Sequence, residues 1–360
     1  MEALLVVFSV ILGSIVGSFL NAAIHRLPRG IGLGVPKRSF CPGCNRTIPW
    51  TENLPVVSWI FLRGKCSACG WAIPFRYPLV EVLVALLFAG IWVWFGPPLA
   101  FCYWVFAALL VAATFIDFEH FIIPDSITWG GTVAGILLSA IVPDLMGVDS
   151  WLAAAGWSLA GAAMGFLVVF AIVEGGKHAF GRIRHVFPEG EAFLWRRDGE
   201  AAELKIGDDT LAWEEIFSRK GDVLRIKAQG VVIVDGREVS ASELRFHHDR
   251  LALGVDELAL QNISEISGRM TEVVIPREAM GFGDVKFMAC IGAFLGWQSI
   301  LFVIFAGSVV GALAGIAGMF LARDRSGARL PFGPFLALGA LLWLFGGRGW
   351  FESHFAALLF

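Results

Sequence analysis

Two sets of residues in this chain have the types and spacing to do chemistry. Cys41-Pro-Gly-Cys44 and Cys66-Ser-Ala-Cys69 form two C-x-x-C pairs separated by 21 residues. The turn of each pair aims two sulfurs at one point, so four thiolates can close a tetrahedral Zn2+ site with no open position, which makes the metal structural. A redox pair is the alternative use of such cysteines. The remaining two, Cys102 and Cys290, lie inside apolar segments and read as packing residues.

The second set is acidic. Carboxylates within or beside long apolar segments are costly and point to function. Asp117, Glu119 and Asp125 surround one short connection, and Asp284 follows Met280-Gly-Phe-Gly283 and precedes Val285-Lys286 in a segment that otherwise reads as a spanning helix. Gly281 and Gly283 cost about 1 kcal/mol each relative to Ala but let a neighbour approach closely. With a helix starting at Arg277, Asp284 is expected on the order of 10 Å into it. Asp117 closes its own segment on the same side. Two carboxylates brought within about 3 Å cannot both ionise. They share a proton, one serving as base toward a water and the other as acid toward a scissile carbonyl, which is the chemistry of an aspartic protease.

Plainer roles exist for each acid. Asp117 can cap a helix end. For Asp125, in Ile123-Pro124-Asp125-Ser126, capping the next helix is the favoured reading. Glu119 and His120 read as interfacial residues facing water. Asp284 could pair with Lys286, although residues two apart do not face one another on a helix.

The elements that must position these groups follow from composition. The chain has 360 residues, 57% hydrophobic and only 16% charged, with 14 Trp, 42 Gly and a mean hydropathy of +0.71. Soluble domains carry roughly 25% charged residues. The pattern is that of an all-α polytopic membrane protein; it excludes a disordered chain, a disulfide-rich secreted module and, at net charge -3, a nucleic-acid binder driven by bulk positive charge. Eight apolar segments qualify as transmembrane helices: 3–24, 79–96, 99–117, 127–143, 151–173, 277–296, 299–322 and 331–346. Met1 to Leu20 holds no Lys or Arg, so the first reads as a retained span rather than a signal peptide. The domains read as helix 1 (1–24), a zinc-binding loop with the four cysteines (25–78), helices 2–5 (79–173), an insert (174–276), helices 6–8 (277–346) and a tail (347–360).

Loop 25–78 carries eight basic residues, from Arg26 to Arg76, against the single acid Glu52, and Arg323, Arg325 and Arg329 mark a second basic loop. The positive-inside rule puts both loops in the cytoplasm and both termini outside. That compartment is reducing, which weighs against disulfides. Segment 174–278 breaks the apolar pattern, with 15 Lys/Arg and 20 Asp/Glu. Runs such as Val223–Lys227 and Gly230–Asp235 between turn signals predict a small β-rich cytoplasmic domain, with a hairpin turn at Asp235-Gly236. Ser240-x-x-Glu243 predicts a capping box before a short helix.

Taken in order, Gly17-Ser-Phe-Leu-Asn21 leading to Ile24-His-Arg-Leu-Pro28, the two C-x-x-C pairs, Asp117 ahead of Ile123-Pro124-Asp125, and Gly281-Phe-Gly-Asp284-Val-Lys286 closely resemble the bacterial type IV prepilin peptidases, also called leader peptidase/N-methyltransferases. The resemblance covers about 1–173 and 277–346. It implies that Asp117 and Asp284 are catalytic aspartates and that prepilins or pseudopilins are cut at the cytoplasmic face of the bacterial inner membrane, after a Gly ending a basic leader. It further implies N-methylation of the new N-terminal residue with S-adenosylmethionine, a Zn2+-binding cysteine loop linked to that second activity, and partners in pilus or secretion machinery.

Two features depart from the resemblance. The insert of about 100 residues stands where the family has a short connection, and its position just before Asp284 suggests that it gates or recruits substrate. No glycine-rich nucleotide fingerprint marks a methyl-donor site, so its residues stay unassigned. The competing functions are a protease alone, with the cysteine loop as substrate platform, and a non-enzymatic transporter or scaffold. A transporter would show midplane carboxylates in repeated halves, and neither is visible here.

Overall fold

A computed structural model describes residues 2–34, 39–180, 182–199, 201–217, 221–254, 256–276, 281–321 and 330–355. The chain divides into two compact units, Met1–Phe170 with Phe282–Phe360, and Ala171–Gly281.

The first unit is helical. Its long elements are α1 (Glu2–Arg26), α3 (Arg76–Phe95), α4 (Leu99–His120), α5 (Asp125–Ile141), α6 (Trp151–Phe180), α8 (Phe282–Leu295), α9 (Ser299–Leu321) and α10 (Gly333–Leu342), with short α2 (Val57–Phe61) in the cysteine loop and α11 (Arg348–Phe355) in the tail. Against the eight expected spans, five helices among the described residues are long and apolar enough to cross a bilayer: α1, α3, α4, α6 and α9. α5 and α8 run to 17 and 14 residues, below the ~20 of a full span, and α10 continues through a π-helical stretch, Trp343–Gly347, into α11 with a kink at Gly346.

α8 is short because it begins at Phe282, and residues 277–280 lie outside those described. Asp284 therefore sits in the first helical turn, not two turns in, and its charge meets the favourable end of the helix dipole. α8 is apolar all round because it is buried all round: Asp284, Val285 and every residue from Phe287 to Phe294 are buried.

Glycines make that burial possible. A Cβ at Gly161 of α6 would strike the Gly292 carbonyl oxygen, and one at Gly292 would strike Gly161 in return. Gly165 meets the backbone of Met288 in the same way. On the other flank, Gly131 of α5 rests against Cys290 and Gly135 against Ala293 and Phe294. The Ser158 hydroxyl donates to Ala293 O at 2.7 Å, closing the α6–α8 seam. Small residues at such contacts let backbones meet where lipid gives no hydrophobic drive. α1 uses the same device on α3, where Cβ atoms at Gly13 and Gly17 would lie 2.7 Å from the Cα atoms of Ala85 and Glu81.

The second unit, among its described residues, is a ten-stranded antiparallel sheet with path β3 (Asp209–Ala212), β2 (Ala201–Ile206), β1, β10, β4, β7, β8, β9 (Asp256–Ala259), and β5 pairing with β10 and β6. β1 (Arg182–Asp198) and β10 (Glu265–Pro276) form its axis, paired from Arg182↔Pro276 to Arg196↔Glu265 across a bulge after Val186. Along each strand, alternate residues turn inward, so that Phe193, Trp195, Leu204, Leu224, Ile226, Leu244, Phe246 and Ile266 build one core. Trp213, on short α7 (Trp213–Ile216), meets Trp195 and Phe246 edge-on.

The expected turn at Asp235-Gly236 joins β5 (Val231–Val234) to β6 (Arg237–Ser240), both turn residues having positive φ, 46° and 79°; that is the tight hairpin geometry such a dipeptide favours. The capping box at Ser240–Glu243 does not start a helix. Glu243–Phe246 is strand β7, because Leu244 and Phe246 alternate into the core and pair with β4 (Leu224–Ala228) and β8 (Arg250–Leu253).

Gly292→Ala puts one methyl into the Gly161 backbone and is expected to cost about 1–3 kcal/mol. It should lower the unfolding midpoint of the protein in detergent; an unchanged midpoint would mean that α6 and α8 do not touch there.

Candidate active site and metal centre

The four loop cysteines converge. Their sulfurs all lie within 4.8 Å of one another, and Cys41 and Cys69 stand 3.7 Å apart. Four sulfurs at ~2.3 Å from a tetrahedral Zn2+ would be about 3.8 Å apart, so the donor set fits the metal closely. Each knuckle repeats one local design. The Cys41 N–H donates to Arg46 O and the Cys66 N–H to Trp71 O, while Asn45 and Gly70, both at positive φ, donate back to Cys41 O and Cys66 O.

Backbone N–H groups of Cys69 and Ala68 pull the Cys66 thiol down to about 7. The Cys69 thiol is pushed up to about 11: against the Trp71 N–H, which favours its thiolate, stand burial and the sulfurs of Cys44, Cys41 and Cys66. Crowded thiols that resist joint deprotonation are what a dication relieves. Arg46 ties the knuckles together, donating to Ser67 Oγ at 2.9 Å and to Glu52 Oε1 at 2.7 Å; Arg46 and then Ser67 hold the Glu52 carboxyl below its usual range. Cys102 and Cys290 are buried inside helices, away from this cluster.

The two aspartates lie on antiparallel helices, α4 and α8, that meet through side chains rather than through close backbone packing. Phe106 of α4 stacks on Phe294 of α8 with ring centroids 4.8 Å apart. At the opposite end of α8, Gly283 lies against Ile123, just beyond α4, the Ile123 N being 3.4 Å from where a Cβ would stand. Between these two ties, Asp117 lies eleven residues after Phe106 and Asp284 ten before Phe294, or about 16 and 15 Å along their helices. The carboxylates thus share one level. Both are buried, at 5% and 7% exposure.

A residue that the sequence did not mark completes the arrangement. Gly333, first residue of α10, donates its N–H to Asp117 Oδ2 at 2.9 Å. A Cβ there would come within 2.7 Å of that oxygen and 3.0 Å of Ile123 Cδ1. The Pro331-Phe-Gly-Pro334 run hints at a special backbone, yet nothing local connects it to Asp117.

The flanking acids have partners of their own. Asp125 is not an N-cap: Pro124 holds that position, and the Asp125 carboxylate pairs with Lys286 Nζ of α8 at 2.5 Å. Glu119 does not merely face water, because Arg76 of α3 ion-pairs with it. Arg323, Arg325 and Arg329 lie outside the described residues.

Sequence reading misses Glu81 and gives no role to Asn21 of the Gly17–Asn21 motif, both buried where α1 and α3 meet the cysteine loop. An acid early in an apolar segment is the available signal for Glu81.

The sequence pattern of the Bacterial Peptidase A24 N-terminal domain matches residues 11–95, and that of the Type IV leader peptidase family matches 104–187 and 258–316. The interval between the latter two stretches falls within the insert. Proteins named prepilin leader peptidase/N-methyltransferase align along most of the chain. That of Aeromonas hydrophila is 27% identical over 94% of this chain and 91% of its own length, and that of Pseudomonas aeruginosa 28% identical over 94% and 90%. The Myxococcus xanthus relative is 31% identical over 91% of this chain and 66% of its own length. No solved structure matches.

Two variants test this geometry. Cys69→Ser should reduce bound zinc from about one per chain to near zero by metal analysis; full retention would remove the cysteines as ligands. Gly333→Ala keeps the backbone N–H but puts a methyl 2.7 Å from Asp117 Oδ2, so it should push the carboxylate off its donor and weaken any activity that uses Asp117 by about 10- to 100-fold, the worth of a hydrogen bond to a charged group being roughly 1.5–3 kcal/mol. Wild-type kinetics would show that the close approach of Gly333 to Asp117 does not govern the carboxylate.

Proposed function

The chain belongs to the type IV leader peptidase family, and from that premise we propose that it is a membrane-embedded aspartic endopeptidase that removes the basic leader of prepilins or pseudopilins after Gly, at the cytoplasmic membrane face, and N-methylates the new N-terminus. The observation that carries the peptidase reading is the pair Asp117 and Asp284, buried at one level on adjoining helices. Names of the relatives support both activities and speak against a transporter.

In this reading the two carboxylates hold one proton between them. The ionised one takes a proton from a water, whose oxygen attacks the carbonyl carbon of the Gly. The protonated one donates to the carbonyl oxygen, and a proton then passes to the departing nitrogen. Gly333 fixes the orientation of Asp117 through its N–H. Lys286 and Asp125, paired across α8 and α5, lock the start of α8 and with it Asp284. Burial on all sides of α8 limits bulk water, so proton transfers run between positioned groups.

The basic loop holding the four cysteines supplies the topological reason for a cytoplasmic site: the positively charged leader remains inside while the substrate's apolar segment lies in the bilayer. Zn2+ would be held by Cys41, Cys44, Cys66 and Cys69 as a structural clamp on that loop. S-adenosylmethionine, when bound, supplies an electrophilic methyl group to the amine that cleavage liberates. The β-rich insert is read as a substrate-recruiting or gating module, and pilus or secretion machinery as the destination of the product.

Detergent-purified protein should cleave a prepilin with a basic leader and a Gly-Phe junction. Asp117→Asn and Asp284→Asn each keep shape and remove a titratable group, and each should reduce cleavage by roughly 10²–10⁴-fold or more with zinc content unchanged. Wild-type turnover in either variant makes that carboxylate structural. Chelator added to folded protein should leave cleavage intact; prompt loss of cleavage would demand a metal in the peptidase step.

A further inference from the structure

α1, α3 and the cysteine loop line a half-open cavity of ≈ 150 Å³, walled largely by apolar and aromatic groups such as Leu54, Trp59, Leu62 and Trp71. Two buried polar side chains line it. Asn21, 2% exposed, donates through Nδ2 to Tyr77 O at 3.0 Å, but its Oδ1 has no hydrogen-bond partner. Glu81, 7% exposed, accepts the Val56 N–H at 2.7 Å and a hydrogen bond from Ser18. Both of those donors are neutral.

This arrangement is expensive unless something else arrives. A buried acceptor left unpaired costs about 1–3 kcal/mol, and a buried carboxylate without a counter-charge costs more. Gly17 enforces the juxtaposition, since its contact with the Glu81 backbone brings the Ser18–Asn21 turn of α1 onto Glu81. His25 and Arg26 also line the cavity and carry donors. Acceptors and donors around an apolar space suit a zwitterion whose positive charge is spread over an alkyl group. The volume is below the roughly 300–1,000 Å³ that engulfs a whole ligand, so the cavity takes one end of a larger molecule.

We propose that this cavity receives the sulfonium-bearing methionine end of S-adenosylmethionine, with Glu81 and Asn21 facing its positive groups. The assignment rests on the methyl-transfer reading above, and it places the methyl donor beside the metal loop rather than beside the aspartates. The free N-terminal ammonium of a cleaved substrate has related cationic chemistry and is the rival occupant.

The test is equilibrium binding to the full, zinc-loaded chain in detergent. Three probes are compared: S-adenosylmethionine, S-adenosylhomocysteine, which lacks the sulfonium charge, and a short peptide with a free N-terminal Phe. Glu81→Gln keeps shape and should weaken S-adenosylmethionine at least tenfold while affecting S-adenosylhomocysteine less, so that discrimination between them collapses. Ala22→Leu narrows the cavity without removing a polar atom and should weaken both. Zinc content and unfolding temperature serve as controls for folding. If both variants bind S-adenosylmethionine as the wild type does, and the wild type methylates, the site lies elsewhere and the methyl-transfer reading survives. If Glu81→Gln loses only the peptide, the cavity holds the acceptor amine and the proposal is overturned. If the wild type neither binds S-adenosylmethionine nor methylates, the underlying reading fails and the proposal with it.

Discussion

Backbone contact at glycine is the constraint on which the helical unit depends. α8 is a 14-residue helix that carries an acid in its first turn and is buried on nearly every side. It can occupy that position only because Gly161 and Gly165 on one flank, and Gly131 and Gly135 on the other, let α6 and α5 come up to its surface. Larger residues at these places would push α8 outward and take Asp284 away from α4. The Phe106–Phe294 stack then sets the relative height of α4 and α8, and the Gly333 N–H sets the direction of the Asp117 carboxylate. Positioning two acids on different helices therefore needs at least four contacts, none of which is itself acidic.

The same device builds the second centre. Gly13 and Gly17 lay α1 on α3, and the polar residues just beyond Gly17 then face Glu81 rather than lipid. The cysteine loop closes over that face. Its two knuckles are local structures, each held by a pair of backbone hydrogen bonds and one residue at positive φ, and Arg46 with Glu52 and Ser67 joins them. A metal there would rigidify a segment with little apolar core of its own. The aspartate pair and the cavity thus share a supporting logic, while they stand on different helix pairs, α4 with α8 and α1 with α3.

What is legible in the sequence divides along the range of the interaction. The cysteine clusters stand out because a knuckle is a matter of four adjacent residues, and the Asp235-Gly236 hairpin because a two-residue turn leaves little choice. Asp117 and Asp284 are visible as costly acids in apolar surroundings, whereas their common level follows from packing. Asp125 reads as a cap because Pro124 and Ser126 are close at hand; its actual partner, Lys286, is 161 residues away. Ser240–Glu243 carries a helix signal that the alternating burial of Leu244 and Phe246 in the sheet overrides. Hydropathy alone starts the span bearing Asp284 at Arg277, whereas among the described residues α8 begins at Phe282, after Gly281. Glu81 is hard to see because it lies among apolar residues without a motif to mark it.

The central claim is that Asp117 and Asp284 face one another. With Cys102 and Cys290 replaced by Ala, cysteines introduced at positions 117 and 284 can be joined by a short bifunctional thiol reagent and read by the mobility of a chain cleaved within the insert. A cross-link that holds the two fragments together, formed at 117 and 284 but not with a cysteine one turn deeper on α8, is the result expected. Absence of the cross-link, when each single thiol reacts with a monofunctional reagent, would separate the two aspartates and with them the shared-proton mechanism.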